Sequence, residues 1–80
     1  MDSRHLKTLE AVFEKPTRAN IIWRDSEALL IALGAEVSEG KGSRVRVALH
    51  GVCAVFHRPH LRKEANKATI MSVRRFLETA

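Results

Sequence analysis

The sequence predicts an α+β fold in the order α-α-β-β-β-α, with a three-stranded antiparallel sheet carrying its helices on one face. Three observations carry this expectation. Apolar residues recur at spacings of three and four towards both ends of the chain, the period of an amphipathic helix. The stretch between them alternates apolar and polar residues, the period of a half-buried strand. A His50-Gly51 pair separates two such alternating segments, as in a tight hairpin.

A first helix is expected over residues 3–14, capped by Ser3 and buried through Leu6, Leu9, Val12 and Phe13. Pro16 ends it, and residues 16–20 form a connector. A second helix is expected over residues 25–33, with Asp25 as its cap. Ala28, Leu29, Ala32 and Leu33 supply its buried face, and Gly34 its stop. Ile22 and Trp23 precede the cap and are read as packing back on the core. A short first strand follows at Ala35–Glu39, then a Gly40-Lys41-Gly42 loop. The second strand is placed at Ser43–Leu49 and the third at Val52–His57, closed by Pro59. Asn66 is read as the cap of a last helix, about 67–79, lined by Ile70, Val73 and Leu77. Arg74 and Arg75 near its end suit the helix dipole.

Eighty residues suffice for one domain, expected to span residues 1–80, with one modest core. They leave no room for a dinucleotide-binding fold, and no small-molecule substrate is expected. The net charge is +5, from 14 Lys+Arg and 9 Asp+Glu, and it is unevenly placed. Residues 1–40 carry five basic and seven acidic side chains, residues 41–80 nine basic and two acidic. Between Gly40 and Lys63 there is no acidic residue. That run holds Lys41, Arg44, Arg46, Arg58, Arg62 and Lys63 with His50, His57 and His60. A one-signed field of this kind attracts polyanions; an ordinary solvated face is the bland alternative, although such faces usually mix both signs. A single cysteine and an N-terminus without a signal-peptide apolar core point to the cytoplasm. No apolar run approaches the roughly 20 residues that cross a bilayer, so no membrane partner is expected.

The hairpin turn fixes a register. With His50 and Gly51 as the two turn residues, Leu49 faces Val52, and counting back sets Arg46 against Val55 and Arg44 against His57. Val45, Val47, Leu49, Val52, Ala54 and Phe56 then share the core face. The opposite face carries Arg44, Arg46, Ala48, Cys53, Val55 and His57. A guanidinium and an imidazole thus share one exposed patch, and two readings stay open. Cleavage of RNA by its own 2′-hydroxyl needs a proton acceptor, a proton donor and a cation at the phosphorane. His57, with His60 as second proton carrier, suits the first two roles. Arg44 suits the third, since a guanidinium grips phosphate but stays protonated. The alternative is a phosphate-gripping surface without chemistry. The expected phosphate contacts are Lys41, Ser43, Arg44, Arg46 and Arg58.

No metal or other cofactor is expected. Cys53 and His57 lie four residues apart on one strand, roughly 13 Å between Cα atoms. His57 and His60 alone are too few ligands for a structural zinc site. Cys53 is read as an inert, partly buried thiol.

Several blocks resemble one family. They are Leu6–Phe13, Ile22-Trp23 with Glu27–Leu30 and Leu33–Glu36, then Gly42–Val45, Val55–His60 and Val73–Leu77. In order and spacing they are similar to a branch of the HicA toxins of bacterial toxin–antitoxin pairs. The resemblance covers nearly the whole chain, with residues 3–14 as an added N-terminal helix. It implies a double-stranded-RNA-binding-domain-like fold, endonucleolytic cleavage of mRNA, and inhibition by a HicB-type antitoxin that covers the active face. One position departs from the family pattern. A catalytic histidine usually follows the Gly-Ser pair, and here Arg44 stands there. Either His57 across the strand pair has taken over its role, or this branch binds RNA, or a protein partner, without cutting.

Overall fold

The two turn residues predicted from the sequence close the central hairpin. His50 (φ 51°) and Gly51 (φ 79°) both have left-handed backbone. Positive φ at both central residues is what a type I′ turn requires, and its twist matches that of the flanking strands. The computed structural model describes residues 2–80, and the hairpin lies at its centre. Strand β1 (Glu36–Glu39), β2 (Arg44–Leu49) and β3 (Val52–His57) form an antiparallel sheet in that order. Every β2–β3 pair expected from the turn is present, from Leu49 against Val52 to Arg44 against His57. Helices α1 (Ser3–Phe13), α2 (Trp23–Ala32) and α3 (Lys67–Thr79) complete the predicted order α-α-β-β-β-α.

The core lies between sheet and helices. Val45, Val47, Leu49 and Phe56 project into it from the sheet, and Val12, Leu30, Ile70, Val73 and Phe76 from the helices. Its centre is a run of aromatic contacts. Trp23 meets Phe56 at 5.8 Å between ring centroids, and Phe56 meets Phe76 edge-on at 5.8 Å. Tilted and edge-on arrangements of this kind set positive ring edges against negative faces.

Two helix ends depart from the sequence reading. Asp2, not Ser3, caps α1, its carboxylate accepting from Arg4 N at 2.7 Å. Helix α2 begins two residues earlier than expected, at Trp23, and Asp25 lies inside its first turn. No side chain caps α2. Lys63 O does part of that work by accepting from Trp23 N at 2.9 Å, and the bond from Ala65 N to Ile21 O at 2.8 Å holds the two segments together. Those partners are some forty residues away in sequence, so a local pattern does not reveal them, while Asp25 gains from the helix dipole where it stands. The buried face of α2 is accordingly Trp23, Ser26, Leu29 and Leu30, and Ala32 is exposed. Leu6 and Phe13 of α1, expected inside, are partly exposed. Other ends are as predicted. Asn66 caps α3 by accepting from Thr69 N at 2.8 Å. Gly34 (φ 99°) stops α2 in a Schellman motif, with Ala35 N on Leu30 O and Gly34 N on Ile31 O, both at 3.0 Å.

Two arginines act as ties. Arg74 of α3 donates to Val12 O, Glu14 O and Thr17 Oγ1, each at 3.0 Å. It thereby satisfies carbonyls that the end of α1 leaves without helical partners. Arg58, just past β3, donates from Nη1 and Nη2 to the two oxygens of Glu39 at 2.6 and 2.8 Å. Its Nε donates to Glu27 Oε1 at 2.9 Å, the same oxygen that accepts from Trp23 Nε1 at 2.8 Å. One guanidinium thus joins β1, β3 and α2. It holds the Glu39 carboxyl below the usual carboxylate range, chiefly by hydrogen bonding, and its own pKa is raised in turn.

Beyond Arg58 the chain turns through Leu61, whose backbone is left-handed (φ 67°) and whose side chain is 94% exposed. That conformation costs an L-residue with a Cβ roughly 1–2 kcal/mol.

Replacing Arg74 by Ala should lower unfolding free energy by about 1–2 kcal/mol, because charge-assisted bonds to otherwise unsatisfied carbonyls are lost. Exposed Arg75→Ala should change it by no more than about 0.5 kcal/mol. Urea midpoints of the two variants test this, and equal midpoints would contradict the tie. The Glu39–Arg58 pair predicts an acid-dependent effect. Because Glu39 has a lowered folded pKa, its contribution is present above the unfolded carboxyl pKa and disappears as pH falls through the folded value. The stability gap between the natural chain and Glu39→Gln should therefore close on acidification. A gap that persists unchanged into strong acid would show that the pair contributes nothing through charge.

Candidate functional site

The sheet face turned away from the helices is built from alternate residues of each strand. Strand β1 contributes Glu36 and Ser38, β2 contributes Arg44, Arg46 and Ala48, and β3 contributes Cys53, Val55 and His57. Period-two alternation explains the sorting, since Val45, Val47 and Leu49 of β2 are buried and the residues between them are not. Arg58 N donates to Ser43 O at 2.8 Å, one pair beyond the strand ends. In an antiparallel ladder, bonded and non-bonded pairs alternate, so Arg44–His57, Arg46–Val55 and Ala48–Cys53 are the non-bonded pairs. Their side chains stand closest, with Cβ atoms roughly 4.5–5.5 Å apart.

The face is divided rather than uniformly basic. Arg44, Arg46 and His57 occupy the end remote from the turn. Ala48 and Cys53 lie nearer the turn and, with Val55 (53% exposed) opposite Arg46, make an apolar strip. Cys53 is exposed, which corrects the expectation of a partly buried thiol. It lies on the outer face, and no helix covers that side.

His57 and His60 are brought together. Both line a cleft of about 270 Å³ with Arg58, Arg62, Glu64, Asn66 and Thr69. Pro59 ends the strand and lets the chain turn, which returns His60 to the neighbourhood of His57. Lys41 and Ser43 lie in the β1–β2 loop, exposed, at the same end of the sheet as Arg44. His50 stands apart at the hairpin turn, its Nδ1 3.0 Å from Ala80 O.

Arg58 is placed differently from the other expected phosphate contacts. It falls one residue beyond His57 and so projects to the helix side of the sheet, where Glu27 and Glu39 hold it. Strand parity carries this signal, because Arg58 shares the side of Phe56. Arg62, which lines the cleft with both histidines, was legible only as one cation of an acid-free run. Among the described residues, no three His, Cys, Asp or Glu side chains are grouped to hold a metal ion. No helix among the described residues is long and apolar enough to cross a membrane.

No curated protein and no solved structure matches the chain. The family model of the HicA toxin of bacterial toxin–antitoxin pairs matches residues 23–80. The match runs from the first residue of α2 to the end of the chain and takes in the whole sheet, both histidines of the cleft and α3, with α1 outside it. Covering well over half of the chain, it shows that the protein belongs to the HicA toxin family.

Proposed function

We propose that the chain is an mRNA-binding toxin that cleaves its target without a metal ion, at the basic end of the sheet. The observation that carries this reading is the pairing of Arg44 with His57 on the outer face, with His60 sharing a cleft with His57. Arg44 and Arg46 grip phosphate, assisted by Lys41 and Ser43 from the neighbouring loop. His57 takes the proton of the 2′-hydroxyl, whose oxygen attacks phosphorus. His60 supplies a proton to the departing 5′-oxygen, leaving a 2′,3′-cyclic phosphate. Arg44 stabilises charge on the phosphorane, a role for which a permanently protonated fork is suited. Arg58, held by two carboxylates, braces the strand that carries His57 and, lining the same cleft, adds a phosphate contact.

As a HicA toxin, the protein has an antitoxin as its cognate partner. A HicB-like antitoxin would occupy the same face, its contacts falling on the exposed strip of Ala48, Cys53 and Val55 as well as on the arginines. Antitoxin and RNA would then compete for one surface. The protein acts in the cytoplasm, where both partners are found.

RNA affinity should fall steeply with salt, since each neutralised phosphate releases counterions. Arg44→Ala with Arg46→Ala should weaken binding and lower the salt slope by about 2. Binding unchanged at low salt would remove the sheet face from consideration. His57→Ala should slow cleavage by about 10²–10⁴ and relieve growth arrest while leaving RNA affinity nearly intact. His60→Ala should do less. Full cleavage by the double variant would place the chemistry elsewhere, and no cleavage by the natural chain would leave RNA binding alone.

A further inference from the structure

Apart from His50 in the hairpin turn, Leu61 is the only non-glycine residue with left-handed backbone among the described residues. Folding alone gives no reason for leucine there. Glycine or asparagine takes that backbone with less strain. At 94% exposure the side chain gains almost nothing from burial. Strained positions of this kind concentrate at functional sites.

The residues next to Leu61 in the chain are basic. His60 and Arg62 flank it and Lys63 follows. Its chain neighbours line two clefts. One is lined by His57, Arg58, His60, Arg62 and Glu64, the other by Arg24, Asp25, Glu27, Arg58, Arg62 and Lys63, so cations outnumber carboxylates in both. An isolated apolar side chain with cations on either side matches nucleic acid, where leucine wedges open a base step while basic residues hold the adjoining phosphates. The aromatic rings that could stack on bases are mostly occupied, since Trp23, Phe56 and Phe76 are buried together in the core.

We propose that Leu61 is a wedge that unstacks one base step of bound RNA beside the phosphate presented to His57 and His60. The inference rests on the RNA-cleaving reading above. Attack by the 2′-oxygen needs alignment with the leaving 5′-oxygen, and a freely turning, unstacked nucleotide reaches that alignment more readily than a stacked one. Leu61 is thus a positioning residue and moves no proton.

The test uses a hairpin RNA carrying 2-aminopurine at each adenine in turn, a base whose fluorescence rises on unstacking. In a His57→Ala background the RNA stays intact. Binding should raise fluorescence at one position. The rise should vanish with Leu61→Gly and persist with Leu61→Met. In the chain with His57 present, Leu61→Gly should slow cleavage by about tenfold or more at unchanged affinity, and Leu61→Met should keep the rate. Leu61→Gly relieves backbone strain, so its melting temperature should not fall, which separates lost positioning from unfolding. Unstacking and cleavage unaltered in Leu61→Gly would overturn the proposal. If antitoxin binding fell instead, Leu61 would be a protein contact and the wedge would be equally overturned. Absence of RNA binding by the natural chain would sink the RNA-cleaving reading itself, and the wedge with it.

Discussion

The type I′ turn at His50-Gly51 is the constraint on which the arrangement of the sheet depends. A two-residue turn leaves no freedom in pairing, and a slip of one residue would exchange the two faces of a strand. Val45, Val47 and Leu49 would then meet water while Arg44 and Arg46 entered the core. The turn and the burial pattern require the same register, so each reinforces the other. The juxtaposition of Arg44 with His57, at the far end of the same ladder, follows from a choice made at the turn.

The same strand parity divides the arginines between structure and surface. Residues on one side of the sheet point to the helices, and Arg58 there is held by Glu27 and Glu39. Arg74 is spent on the end of α1. What a polyanion meets is therefore decided by where the charges stand and not by the net +5. On the outer face positive charge concentrates on Arg44 and Arg46, while Ala48, Cys53 and Val55 form an apolar strip beside Glu36 and Ser38. One face can in this way serve two ligands, with phosphate contacts at one end and packing contacts at the other.

Features set by short-range pattern were legible in the sequence. The strands, the hairpin, the Asn66 cap and the Gly34 stop each rest on neighbours within a few residues. The start of α2 was not legible, because its first N–H is satisfied by Lys63 across the fold and not by a local side chain. The Asp25 cap was a reasonable local reading that a long-range bridge between Ile22 and Glu64 overrode. The roles of Arg58 and Arg74 also depend on partners far away in sequence, at Glu27 and at Val12. At the candidate site, the Arg44–His57 pair was read from the register alone. The placing of His60 in the groove of His57 was read from the turn expected at Pro59, and the folded loop sets both histidines in one cleft.

The chain's four histidines provide an internal comparison for locating the site. Their ring resonances can be followed by NMR while a 2′-O-methyl RNA is added, which binds but has no 2′-hydroxyl proton to lose. If RNA lies over the basic end of the sheet, the signals of His57 and His60 should move together on binding, while those of His5 and His50 should stay in place. Movement of His50 or His5 with His57 unaffected would contradict a site built on the Arg44–His57 pair.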